Sequence, residues 1–260
     1  MMEPLIINTE EGIRTIKLNR PERMNAINDE LSSKIEQAIA EASTDDDVRV
    51  IVITGEGRAF CSGLDLSEMP NTFGTRHEQL DELGWVGRQA LGIVHCDKPV
   101  IAAINGTAAG AGLSLALACD LRLMSGNARV TTGYIRRGLS PDAGMSYFLP
   151  RLVGQAQAVQ MIFTGDNIEA EEAKRTGMVN DVFAEEEFHA RVLAFARDIA
   201  AGPPIALTFS KRLLTADADG DLTKLLKQEY AYIKRCFATK DVEEGVQAFL
   251  QKRKPEFQGK

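Results

Sequence analysis

Histidine is scarce, and so is every pattern that builds a metal centre or a disulfide framework. The 260 residues hold three histidines (His77, His95, His189) and four cysteines (Cys61, Cys96, Cys119, Cys236), widely separated and without a C-x-x-C pair. No metal site is expected from such spacing, and four scattered free thiols suit a reducing cytosol. No uninterrupted apolar run reaches the roughly 18 residues of a membrane-spanning helix. The opening MMEPLIINTEEG has neither the basic start nor the apolar stretch of an export signal. A cytoplasmic protein without a membrane partner is therefore expected. Positive charge is also in deficit: 30 Lys and Arg against 37 Asp and Glu give a net charge of −7. That argues against nucleic acid as a partner, while a phosphorylated ligand, which feels local charge, stays open.

What is present suits a globular chain with a sizeable core, 44% hydrophobic and 26% charged. Residues 5–20 read as a hairpin around a polar turn. A helix starts on Asn28 or Asp29 and places Leu31, Ile35, Ala38, Ile39 and Ala42 on one face. VRVIVITG (48–55) reads as a strand buried in parallel pairing. The polar stretch 67–92 turns helical towards its end, and its apolar members Met69, Phe73, Leu80, Leu83 and Trp85 line a pocket or belong to the core. Strands follow at 99–104 and 121–125. Beyond Pro150 the periodicity is helical, with no strong strand. Helices are expected after Pro203–Pro204, from Asp221 and over about 241–252. The stripe Leu222, Leu225, Leu226, Tyr230 and Ile233 is core or subunit contact. Alternating β and α followed by a helical tail gives an α/β fold.

The segment NGTAAGAGLSLALACD (105–120) is a small-residue loop opening a helix. As a dinucleotide fingerprint it fails at the third glycine, and as a P-loop it fails because no lysine lies between residues 99 and 126. Gly112-Leu113-Ser114-Leu115-Ala116 approaches a nucleophile elbow, yet His189 has no supporting motif to make it the base. What remains is backbone electrostatics. A helix N-terminus offers unpaired N–H groups, and a second glycine-bearing turn, GEGRAFCSGLDL (55–66), ends the neighbouring strand. Two such turns can aim N–H groups at one carbonyl oxygen.

With these turns in view, the sequence resembles the crotonase (enoyl-CoA hydratase/isomerase) superfamily nearly end to end. LNRPERMNAIN (18–28), GRAFCSGLDL (57–66) and KPVIAAINGTAAGAGLSLALACDLRL (98–123) match its blocks in order, as do FLPRLVG (148–154), FTGDNIEAEEAKRTGMVN (163–180) and FLQKRKPEFQGK (249–260). The resemblance implies a superhelix of repeated ββα units over 1–200 that binds acyl-CoA. A C-terminal helical region over 201–260 then makes a homo-trimer or a dimer of trimers. Coenzyme A enters as part of an acyl-CoA thioester substrate, with no permanently bound cofactor. The implied oxyanion donors are the backbone N–H groups of Ser62 and Ala111. The CoA contacts fall on Arg23, Met24, Ala26 and Ser62, on Gly63, Leu64, Asp65 and Leu66, and on Lys252 at a phosphate, across a subunit boundary.

Two departures bear on the chemistry. Hydratases of this family use paired glutamates, and those positions fall on Ser114 and Tyr134. Neither is a carboxylate, so hydration by two carboxylates is not expected. Asp142, eight residues beyond Tyr134, matches the acidic position of isomerase-like members. An Asp142 proton shuttle is the favoured reading, with Tyr134 shaping the pocket or donating a proton and Ser114 packing within its helix. The alternatives are hydration, thioester hydrolysis or displacement with Asp142 as nucleophile, and acyl-CoA binding without catalysis.

Overall fold

A computed structural model of the protein describes residues 3–67, 80–216 and 222–260. Strands β1 (Leu5–Glu10) and β2 (Ile13–Leu18) form the expected antiparallel hairpin. Helix α1 (Asp29–Thr44) begins where Asn28 accepts a hydrogen bond from Leu31 N–H, a side-chain cap that satisfies one orphan donor. It buries the predicted face of Leu31, Ile35, Ala38, Ile39 and Ala42.

The chain then repeats one unit. Strand β3 (Val50–Gly55) is followed by short β4 (Ala59–Cys61) and α2 (Gly84–His95). Strand β5 (Val100–Ile104) is followed by short β6 (Thr107–Ala109) and α3 (Ala111–Ala118). Strand β7 (Leu121–Ser125) is followed by β8 (Arg129–Thr131) and then α4 (Met145–Val153). Each unit puts its long strand in one sheet and its short strand in a second, with parallel neighbours. The large sheet buries both faces. Ile51 and Ile53 enter the main core, while Val50 and Val52 pack with Ile101, Leu123 and Phe183 on the other side. That two-sided burial is why VRVIVITG lacks polar alternation.

Beyond Pro150, where no strong strand is expected, two short strands complete the sheets. After α5 (Gln155–Thr164) comes β9 (Ile168–Glu169), antiparallel to β8. After α6 (Ala170–Arg175) comes β10 (Asp181–Phe183), which extends the large sheet beside β7 to the order β1-β2-β3-β5-β7-β10. Strands of two and three residues are too short to show a period-2 pattern. Helix α7 (Phe188–Ala200) then covers the outer face of that sheet through Phe188, Val192, Ala196 and Ala200.

The predicted C-terminal helices are α8 (Pro204–Thr215), α9 (Leu222–Phe237) and α10 (Lys240–Gln251). Buried Lys211 anchors the first of them. Its ammonium donates to Ile93 O at 2.9 Å, Lys98 O at 3.0 Å and Asp120 Oδ2 at 2.8 Å. The same carboxylate oxygen accepts the Val100 amide at 2.7 Å, so one ion pair ties α8 to the start of β5. Along α9, Leu226, Tyr230 and Ile233 are exposed in the single chain, which removes the core reading for these three. The side chains of Leu222 and Leu225 lie outside the described residues.

Candidate active site

The two glycine-bearing turns meet edge to edge because β4 and β6 pair in parallel at Ala59↔Thr107 and Cys61↔Ala108. Their approach leaves no room for side chains. A Cβ on Gly112 would lie 2.2 Å from Cys61 O, and one on Gly106 would lie 2.2 Å from Arg58 O. Gly63, at φ +95°, faces the other turn, where a Cβ would sit 2.8 Å from Ala109 O and 3.5 Å from Ala111 N. Asn25 and Asn105 complete the clamp. The Asn25 amide donates to Glu56 O and Ala59 O, and the Asn105 amide donates to Gly57 O while its oxygen accepts the Gly55 amide.

A cleft of about 350 Å³ opens where the turns meet. One wall is Arg23, Ala26 and Ser62–Ser67, the floor is Ala109–Ala111, and the other wall runs from Gly133 through Tyr134, Arg137 and Leu139 to Asp142. At the floor, α3 begins on Gly110 (φ 53°, ψ −125°) with no side-chain cap. The amides of Ala111, Gly112 and Leu113 consequently have no acceptor among the described residues, and the Ser114 amide is the first to bond, to Gly110 O at 2.9 Å. Ala111 keeps a negative φ, so alanine costs nothing where many relatives are expected to carry glycine.

On the opposite side, the Ser62 expectation needs correction. The Ser62 amide is already spent on Met24 O at 3.0 Å, because Met24 and Asn25 take left-handed φ values of 53° and 56° and turn that carbonyl inward. The free donor is two residues on. Leu64 pairs with Ile27 in an isolated parallel bridge that uses Gly63 O and the Asp65 amide, leaving the Leu64 N–H without an acceptor among the described residues. Leu64 and Ala111 thus put two unpartnered backbone donors on one cleft, an arrangement able to share a single oxygen. No sequence pattern marks this choice, because it depends on the distant Met24 carbonyl being turned inward.

The far wall carries a hydrogen-bonded chain. Tyr134 Oη donates to Asp142 Oδ1 at 2.5 Å, and Ser114 Oγ lies 3.2 Å from the phenol oxygen and 3.4 Å from Asp142 O. Burial pushes the Tyr134 pKa far up, and donation to the carboxylate adds to this. The phenol is therefore favoured in its protonated form, which can donate the hydrogen bond to Asp142. Ser114 is fully buried behind Tyr134 and off the cleft surface, so it reaches the cleft only through the phenol. Asp142 is exposed at the cleft and flanks the turn into α4, with Ala143 at φ 51° and Gly144 at φ 79°.

Other expected residues separate. Arg23, Ala26, Gly63, Asp65 and Leu66 line the cleft, whereas Met24 contributes its carbonyl beneath it. Lys252 caps the end of α10 and is not on the cleft of this chain. Within 67–92, Met69 and Phe73 lie outside the described residues, Leu80 and Leu83 are exposed away from the cleft, and Trp85 packs against the main core. All four cysteines are free, and burial pushes Cys61 and Cys119 up to about 12, which makes them inert thiols.

Asp65 holds the first wall in shape. Its carboxylate accepts from Ser67 Oγ at 2.6 Å, from the Ser67 amide at 3.1 Å and from Arg20 at 2.9 Å. The Ser67 hydroxyl first, and then the Ser67 amide and Arg20, hold this buried carboxyl below its ordinary range. Its stabilisation is therefore complete above the unfolded value, about pH 4, and is lost as pH falls through the folded value. Urea midpoints measured across the acid range should fall more steeply for the wild type than for Asp65→Asn; parallel curves contradict this assignment.

Comparison with known proteins gives this geometry a family. Residues 8–260 match the family model described as enoyl-CoA hydratase/isomerase. The chain is 34% identical to 1,2-epoxyphenylacetyl-CoA isomerase and 37% identical to 2,3-dehydroadipyl-CoA hydratase, both of Escherichia coli (strain K12), over 100% of each chain. It is 35% identical to crotonyl-CoA hydratase of Syntrophomonas wolfei over 98% of both chains. The enoyl-CoA hydratase structure from Polaromonas sp. JS666 superposes with a TM-score of 0.91 at 33% identity, covering 97% of this chain and 99% of that one. Matched end to end in sequence and in fold, with its two uncapped donors at the meeting of β4 and β6, the chain belongs to the enoyl-CoA hydratase/isomerase family of the crotonase superfamily and is an acyl-CoA-processing enzyme.

Proposed function

We propose that the protein isomerises a 3-enoyl-CoA thioester to the conjugated 2-enoyl form, with Asp142 carrying the proton. The observation that supports this is the state of the cleft's carboxylates. Asp65 is tied up by Arg20 and Ser67, whereas Asp142 bonds only one oxygen, to Tyr134, and keeps its second oxygen without a partner among the described residues. The names of the relatives include hydratases and an isomerase. Paired carboxylates for activating water are not available at Ser114 and Tyr134, which favours a single-base reaction.

In this reading the CoA portion runs along Arg23, Ala26 and Ser62–Leu66, and the thioester oxygen sits between the N–H groups of Leu64 and Ala111. Those donors stabilise the negative charge that develops on oxygen, which acidifies the α-carbon. The free oxygen of Asp142 removes the α-proton; the C–H electron pair moves into the thioester and gives a dienolate. The protonated Asp142 then returns that proton to C4 as the double bond settles between C2 and C3. Tyr134 fixes the orientation of Asp142, because its hydroxyl has no other carboxylate acceptor and Ser114 holds it from behind. Asp142→Asn should lower kcat at least about a thousandfold, as expected for loss of a proton-transfer group that no neighbour replaces, with acyl-CoA affinity retained. Tyr134→Phe should lower kcat by a smaller factor and leave KM nearly unchanged. Retained turnover in Asp142→Asn overturns the assignment.

A trimer, or a dimer of trimers, belongs to the same proposal. Leu226, Tyr230, Ile233 and Phe237 leave an exposed apolar face on α9 that a single chain does not cover. Sedimentation equilibrium should give three or six chains per particle; a monomer contradicts it.

A further inference from the structure

The far wall of the cleft carries a cation that the proposed proton transfer does not use. Arg137 ends the short helical turn Ile135–Arg137 and lies between Tyr134 and Asp142 along the chain. Its Nη1 donates to Gly133 O at 3.0 Å, and the same nitrogen would lie 3.5 Å from a Cβ on Gly133. That bond draws one edge of the exposed guanidinium towards the cleft wall. The remaining N–H groups have no acceptor, and no carboxylate pairs with Arg137 among the described residues. The adjacent Arg136 shows the contrast: it turns away, towards α5, and is neutralised by Asp166 at 2.5 Å. Of two consecutive arginines, the one on the cleft is the one left unpaired.

Position along the cleft separates this charge from the CoA side. A Cβ on Gly63 would meet Ala109 O at 2.8 Å and one on Gly110 would meet the Tyr134 ring at 3.9 Å, so the floor stands between the wall of Arg23 and the wall of Arg137. With the thioester oxygen on the floor, the CoA chain leaves past Arg23, and the acyl group points to Tyr134, Leu139, Asp142 and Arg137. A guanidinium on an acyl wall is not neutral ground for a plain hydrocarbon. Burying it against methylene groups costs solvation and returns nothing, whereas a carboxylate meets it as a charge-assisted, planar pair. It also shares a wall with the Asp142 carboxylate, which repels an anionic acyl group unless a cation on that wall offsets the charge.

We infer that Arg137 reads an anionic acceptor on the acyl group, so that the preferred substrates are mono-CoA thioesters of short dicarboxylic acids. The inference rests on the acyl-CoA reading of the cleft and names the substrate class for it. It does not depend on the proton chemistry, and it is tested without turnover.

The probes are CoA thioethers, which lack the reactive carbonyl: S-(ω-carboxyalkyl)-CoA of three to five methylenes, and S-alkyl-CoA of matching length. Calorimetric titration of the wild-type protein should show the carboxylated probe binding roughly tenfold or more tighter at one or more lengths, the size of a charge-assisted hydrogen bond. Arg137→Met, which keeps the bulk of the chain, should erase that preference and leave the alkyl probe unaffected; Arg137→Lys should restore part of it. Equal affinities in the wild type, or a preference that survives Arg137→Met, overturn the inference alone. An equal loss for both probes in Arg137→Met places the arginine on the CoA portion and also overturns it. Failure of both probes to bind the wild type overturns the acyl-CoA reading of the cleft itself.

Discussion

Everything in this site depends on a backbone contact too close for side chains. The turns 55–66 and 105–112 are pressed together until Gly106 and Gly112 stand where a Cβ would overlap the carbonyl oxygens of Arg58 and Cys61. Parallel pairing of β4 with β6 sets that separation, and the Asn25 and Asn105 amides hold it by bonding across the turns. The consequence is electrostatic. Helix α3 starts without a cap, and the bridge at Leu64 leaves every second amide unspent, so two N–H donors stay free on one concave surface. Capping residues that stabilise ordinary helices by about 1 kcal/mol are absent here, and the freed donors are what the chemistry uses.

Proton transfer is laid on the opposite wall, and there the chain differs from a two-carboxylate site. Ser114 and Tyr134 stand where paired acids are expected, a buried hydroxyl behind a phenol, and the phenol donates a hydrogen bond to Asp142. Such an arrangement suits the single base of the proposed isomerisation. Burial favours the protonated phenol, which leaves it free to donate to Asp142 Oδ1. Arg137, without a carboxylate partner among the described residues, lines the same wall, while Asp65, engaged with Arg20 and Ser67, holds the other wall.

Much of this was legible in the sequence because it lies in local patterns. The α1 stripe, the strand VRVIVITG, the helix starts at Asn28 and after Pro203, and the glycine turns each follow from periodicity or from conformational need. The identity of the donor on the first wall was not. Choosing between Ser62 and Leu64 requires knowing which carbonyl is turned inward, and that is decided by the left-handed Met24, about forty residues away in sequence. Strands β9 and β10 escaped for a different reason, since two or three residues carry no period and pair only because their neighbours are already in place. The tie between Tyr134 and Asp142 spans eight residues of turn and 3-10 helix whose geometry no pattern encodes.

The central claim is that a backbone-held enolate and one carboxylate move a proton without adding water. Its most direct test is the mass of the product formed from a 3-enoyl-CoA thioester by the wild-type enzyme. An unchanged mass, with the ultraviolet absorbance of a conjugated 2-enoyl thioester, is the predicted result. A product heavier by one water contradicts the single-carboxylate account and makes the protein a hydratase that works without the paired acids.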